Sequence, residues 1–179
     1  MAGLVKKVPY LPDLPGFGIG TEAGPLRARV GIDGITLSPD GRTLWWTPLG
    51  SYDLFSIDTD LLAGPHGEDA AVARHVVRHE ARAFAADGLD CDRQGRVYFT
   101  DVTHGTLRRF IPEEDRYETL LHGEGYFAWP DSVRIGPDRI VYVTDSQMDR
   151  MPRWHGGTDL RTPPYALHRA AIDADPARY

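Results

Sequence analysis

Asp33, Asp87 and Asp131 open three stretches that share one pattern: IDGITLSPDGRTLWWTP over residues 32–48, ADGLDCDRQGRVYFTD over 86–101 and PDSVRIGPDRIVYVTD over 130–145. A repeated architecture repeats its turns and its core for structural reasons. Nothing in that requirement calls for a carboxylate at the same place each time. Brought together, carboxylates repel one another and must take up protons or gather a cation. Kept apart, each would accept backbone hydrogen bonds at its own turn. From the residues alone both readings stay open.

The other candidates for chemistry point to structure. His75 and His79 form an H-x-x-x-H pair. On a strand they would share a face but stand about 13 Å apart, too far for one ion, so a solvated outer strand is expected. His104 lies in the turn THGT and is expected exposed at the rim; His155 lies in the loop WHGG with no visible partner. Cys91 alternates with Leu89, which predicts a buried core thiol rather than a nucleophile. Trp45, Trp46 and Phe127 are expected in the core. Trp129 directly precedes Pro130-Asp131 and is a candidate for lining a pocket beside the third aspartate. Asp101 and Asp145 each follow a threonine at a strand end and are expected to cap turns. The sequence holds no nucleophile elbow, phosphate loop, cysteine pair or HExxH motif.

The elements that must position these residues are strands. The aspartates stand 54 and 44 residues apart, a period of propeller blades or helical arrays. Apolar residues alternate within each copy: Ile35 and Leu37, Leu89 and Cys91, Val133 and Ile135. A period of two means strand. Asp40-Gly41, Gln94-Gly95 and Asp138-Arg139 follow at one offset, where Asp-Gly tolerates the positive φ of a tight hairpin. The second strands, TLWWT, RVYFT and IVYVT, are aromatic and β-branched. Residues 51–58 and 71–79 read as two further strands of the first unit, and 105–111 and 117–122 as two of the second. Four strands is the count of a propeller blade. The third unit continues with 164–172 and reaches Tyr179 without a fourth strand. Residues 3–11, GLVKKVPYL, are a candidate for it, although Pro9 interrupts them. Residues 64–68 and 151–164 read as loops. The predicted fold is an all-β partial propeller over residues 1–179, with blades at 32–80 and 85–123 and an incomplete blade at 130–173.

Composition agrees. Of 179 residues, 41% are hydrophobic and 26% charged, which fits a globular chain able to bury a core. Nineteen glycines and fourteen prolines favour a turn-rich β fold. The net charge of −6 speaks against nucleic acid as a partner, and no apolar run is long enough for a membrane span. The single cysteine excludes an internal disulfide.

With these motifs in place, the chain resembles the yellow / major royal jelly protein family, specifically the C-terminal half of a bacterial member. The resemblance rests on GIDGITLSPDGRTLWWTPLGSYDLFSIDTDLL and on WPDSVRIGPDRIVYVTDSQMDRM followed by TPPYALHRAAI, and covers residues 31–172. The D-G…D-G pattern alone is shared with gluconolactonase-like six-bladed propellers, a more distant resemblance. The family implies a six-bladed ring of about twice this length, so roughly half a ring is expected here. By resemblance to gluconolactonases, the Asn/Asp-Gly position faces the central channel and in some members holds a metal ion. Carried over, Asp33, Asp87 and Asp131 occupy that position, with Trp129 near them, and oxygen-only ligands imply a hard cation such as calcium. The lactonase glutamate from near the start of the ring has no counterpart that can be placed here.

Two function classes are implied. One is a binding protein that holds a small molecule, such as an amine or a sterol, in its channel. The other is a metal-dependent lactonase, whose cation polarises a carbonyl and lowers the pKa of bound water. The closing W-P-D stretch favours the first, and an interaction scaffold is a third class. The family also implies an extracellular protein, while the N-terminus lacks the apolar core of a signal peptide. Finally, three blades leave an open arc with two end faces, expected to be apolar from the alternation. Apolar area left in water costs about 25 cal/mol per Å² and invites association. The expected partners are therefore a missing N-terminal half or a second copy about a two-fold axis.

Overall fold

The computed structural model describes residues 19–21, 24–26, 31–63, 69–79, 84–121 and 127–177. Three consecutive antiparallel meanders dominate them. The first sheet runs β3 (Ile32–Leu37), β4 (Thr43–Pro48), β5 (Leu54–Asp58), β6 (Val77–His79). The second runs β7 (Ala86–Cys91), β8 (Val97–Asp101), β9 (Thr106–Ile111), β10 (Arg116–Leu121). The third has β11 (Pro130–Ile135), β12 (Ile140–Asp145) and β13 (Ala166–Ala171). A separate ribbon pairs β1 (Ile19–Thr21) with β2 (Gly24–Leu26). The leading hairpin of each sheet turns where the repeat places it, with positive φ at Gly41, Gly95 and, in the third copy, the non-glycine Arg139.

The sheets stack through their first strands, β3 on β7 and β7 on β11. Between the first and second sheets, Trp45, Leu54, Phe84, Leu89, Phe99 and Phe110 form one apolar cluster. Between the second and third, Leu107, Phe127, Val133, Val141 and Val143 form another. Alternation explains both: every second residue of a strand faces one neighbour, and the others face the next.

Two expectations are corrected. Residues 71–79 are not one strand. Helices α1 (Asp60–Ala63) and α2 (Asp69–Ala73) precede a β6 of only three residues. Ala-rich alternation fits either state, and alanine is the strongest helix former. The two end faces are also not alike. On the first sheet, Trp46, Phe55 and Ile57 are covered by Leu61, Leu62, Val72 and Val76 of the helical segment. On the third sheet the outward face is largely polar, with exposed Ser132, Arg134, Thr144 and Arg169 beside Leu167. The candidate strand at 3–11 and the loop at 64–68 lie outside the described residues. Among the described residues, no helix is long and apolar enough to cross a membrane.

After β13 the chain returns beneath the second sheet. Arg93 N–H donates to the Asp175 carbonyl, Asp92 bridges to Pro176, and Ala177 N–H donates to the Cys91 carbonyl. Ala174 is buried against Tyr98 and Ile135. A polar network reinforces this return. Asp92 accepts from the backbone of Gln94 and Arg96, from the Arg96 guanidinium and from the Tyr98 hydroxyl. Arg109 donates to Tyr98, Glu118 and Asp173.

Candidate functional site

Each first strand carries a β-bulge at its aspartate. The register slips between Ile32 and Gly34, between Ala86 and Leu89, and between Pro130 and Val133. A bulge leaves a residue unpaired and re-aims its side chain. Asp33, Asp87 and Asp131 thereby line one groove of about 200 Å³, flanked by Ile35, Leu89 and Val133. The residue after each aspartate fixes how closely the strands approach. A Cβ on Gly34 would lie 2.4 Å from the Asp87 carbonyl oxygen, and one on Gly88 would lie 2.4 Å from that of Asp131. Glycine is required at both. The third copy has Ser132, on the outward face.

Asp87 is the deepest of the three, 6% exposed. Trp129 Nε1 donates to its Oδ2 at 2.7 Å. Trp129 is in turn held by Asp145, which accepts the backbone N–H groups of Ala128 and Trp129 at 2.8 and 2.7 Å. Burial pushes the Asp87 carboxyl up to about 7; the indole hydrogen bond opposes this, while Asp131 and Asp33 add repulsion. Asp33 is also raised, by burial and by Asp131, and a hydrogen bond from Asp87 offsets part of that rise. Asp33 and Asp87 thus form a hydrogen-bonded carboxyl pair in which burial favours the proton on Asp87. Ser132 Oγ donates to Asp131 Oδ1 at 3.3 Å. None of the described residues lining the groove is cationic.

Calcium takes about six to eight oxygen ligands. Among the described residues no three His, Cys, Asp or Glu side chains are grouped so as to hold a metal ion. As folded, the groove offers a hydrogen-bonded carboxyl pair and one further carboxylate rather than a coordination cage. The arrangement can accept hydrogen bonds from a ligand, neutralise a ligand cation and exchange a proton.

The remaining candidates lie elsewhere. Asp101 caps its turn, accepting from the backbone of Thr103 and His104 and from the side chains of Thr106 and Arg108. His104 is half-exposed, with Nδ1 2.8 Å from Asp101 Oδ2. Asp145 also serves a turn, but through Trp129 it reaches the groove, a role that sequence reading missed. The signal was present in the repeated Thr-Asp, without the partner. His79 is half-buried rather than on a solvated strand face: its ring packs on Trp45 and Phe110, its Nε2 lies 2.9 Å from Ser56 Oγ, and burial lowers its pKa. His75 is exposed beyond α2. His155 does have a partner, the Asp149 carbonyl, at 2.7 Å. Cys91 is buried, its thiol pushed up to about 12 by burial, with no reactive character. Trp45, Trp46 and Phe127 are buried.

Four-stranded meanders stacked by their first strands about a shared groove define a β-propeller. Solved structures with this fold include a gluconolactonase from Xanthomonas campestris (TM-score 0.59, 15% identity, covering 82% of this chain and 46% of that one). A luciferin-regenerating enzyme is similar (TM-score 0.55, 12% identity, 81% and 46%). So is regucalcin, a calcium-binding protein from Agrobacterium tumefaciens (TM-score 0.51, 16% identity, 83% and 48%). The chain spans about half the length of each. No curated protein sequence matches it. The family model of the major royal jelly proteins matches residues 15–155, and the chain belongs to that family.

Proposed function

We propose that this propeller chain binds, in the groove lined by Asp33, Asp87 and Asp131, a small molecule carrying a protonated amine or comparable hydrogen-bond donors. The observation that carries this reading is the convergence of three bulge-aimed aspartates on one groove with no cationic residue among the described residues of its lining. Uncompensated carboxylates at a partly apolar surface favour a ligand that brings the positive charge. Trp129 and Asp145 support the reading by fixing the orientation of Asp87.

The experiment titrates the chain with phenethylamine, followed by calorimetry, beside parallel titrations with calcium chloride and assays of gluconolactone hydrolysis. Saturable amine binding that is lost in Asp87→Asn and Asp33→Asn supports the proposal. Stoichiometric calcium binding with calcium-dependent hydrolysis would replace it with a lactonase. The absence of amine binding at any pH would refute it.

A further inference from the structure

The outward face of the third sheet repeats the face by which the second sheet holds the third. In the second sheet Thr100 pairs with Leu107 and Tyr98 with Arg109. In the third, Thr144 pairs with Leu167 and Tyr142 with Arg169. Residues directly opposite on adjacent strands share a face, so the same four residue types stand in the same order on both sheets.

In the second sheet this face is occupied. Thr100 Oγ1 accepts from Gly88 N–H and donates to the Asp131 carbonyl at 2.6 Å, while Leu107 is buried with Val133. In the third sheet the same pieces are open. Thr144 Oγ1 accepts from Ser132 N–H at 3.0 Å, leaving its hydroxyl proton for an incoming carbonyl, and Leu167 is 66% exposed. The complementary part also lies open. Ile35 is 55% exposed, while its equivalents Leu89 and Val133 are buried at 8% and 7% between sheets. The helical segment covers Trp46, Phe55 and Ile57 but leaves this inner strand free.

We propose that the two open ends meet in a second copy of this chain. β3 of one copy docks on β11 and β12 of the other as β11 docks on β7 and β8, and the reverse contact closes the pair head to tail. Thr144 then donates to the Asp33 carbonyl of the partner copy, and Leu167 covers its Ile35. Two copies give six sheets around one axis, in line with solved propellers about twice as long as this chain. The aspartates of both copies would surround that axis, so the groove is completed by pairing. The junction departs from the internal template: Ser132 replaces Gly88, and Arg134 replaces Asp90. Among the described residues no fourth strand stands where β10 packs Leu120 and Leu121. Trp46, the counterpart of Val143, is already covered by the helical segment, so the contact is confined to the inner strands. A Cβ on Gly88 would lie 2.4 Å from the docked carbonyl. The second copy must therefore stand further off at Ser132, and this junction is looser than the internal ones.

The test is sedimentation equilibrium of the 179-residue chain, beside variants whose folding is checked by circular dichroism. The expected species has twice the 19.9 kDa chain mass. Leu167→Asp and Ile35→Asp, both at exposed positions, should each weaken pairing by at least about tenfold, the scale of one large apolar contact. Ser132→Gly should tighten it. Mixing the two aspartate variants restores one intact junction, so the mixture should pair more strongly than either alone. A monomer at every soluble concentration overturns the proposal, as does growth beyond two copies. A dimer that is indifferent to Ile35→Asp, or a mixture without recovery, overturns the head-to-tail arrangement.

Discussion

Two acidic regions of this molecule follow opposite rules. Beneath the second sheet, Asp92, Glu118 and Asp173 are each met by an arginine, and Asp92 also receives backbone amides and a tyrosine hydroxyl. In the groove, Asp33 and Asp87 meet each other, and the indole of Trp129 is the donor fixed on Asp87. Fully paired carboxylates hold sheets together. Carboxylates that meet each other instead of a cation do not form such a joint, and strongly perturbed groups of this kind are what mark a candidate site.

The contrast can be broken at its structural side first. Asp92→Ala leaves the Arg96 guanidinium and its partners without their acceptor and should cost about 3–5 kcal/mol, read from urea denaturation. A loss below 1 kcal/mol would mean that the arginines are not committed to this joint.

The groove should lose stability as pH rises. The carboxyl of Asp87 rises from 3.8 to about 7 on folding. The native state therefore holds a proton that the unfolded chain has released, and stability falls as pH rises between those values. Between pH 5 and pH 8 this contribution amounts to about 2–3 kcal/mol. Asp87→Asn should flatten that slope and make the variant the more stable chain at pH 8.

A smaller effect sharpens the role of the indole. Trp129→Phe removes the donor that favours ionised Asp87. It should cost about 1–2 kcal/mol at pH 8 and move the Asp87 titration, followed by carboxyl NMR, further upward. The smallest effect tests whether turn chemistry is separable from both regions. His104→Ala should change stability by no more than about 0.5 kcal/mol, because Arg108 and two backbone amides still hold Asp101.

Much of the groove was legible because its determinants are local. The aspartates, the hairpin turns and the strand alternation recur at fixed offsets, and each needs only a few neighbouring residues. The bulges were not legible, since a register slip is defined by the partner strand. The need for glycine after Asp33 and Asp87 lies in the carbonyl of another sheet. His79 misled for the same reason: Trp45 and Phe110, which bury it, belong to distant strands. Residues 71–73 of α2 were read as the start of the β6 strand because an Ala-Val-Ala alternation fits helix and strand alike. Arg109 and Asp173 stand 64 residues apart, beyond the reach of any local pattern.

The return of residues 172–177 beneath the second sheet has a kinetic consequence. A segment that follows the third sheet in sequence is stitched to the second by amide hydrogen bonds at Arg93 and Ala177. The third sheet cannot peel from its neighbour while that stitch holds. The two sheets should therefore open as one cooperative unit. Their amides should exchange with solvent at a common slow rate.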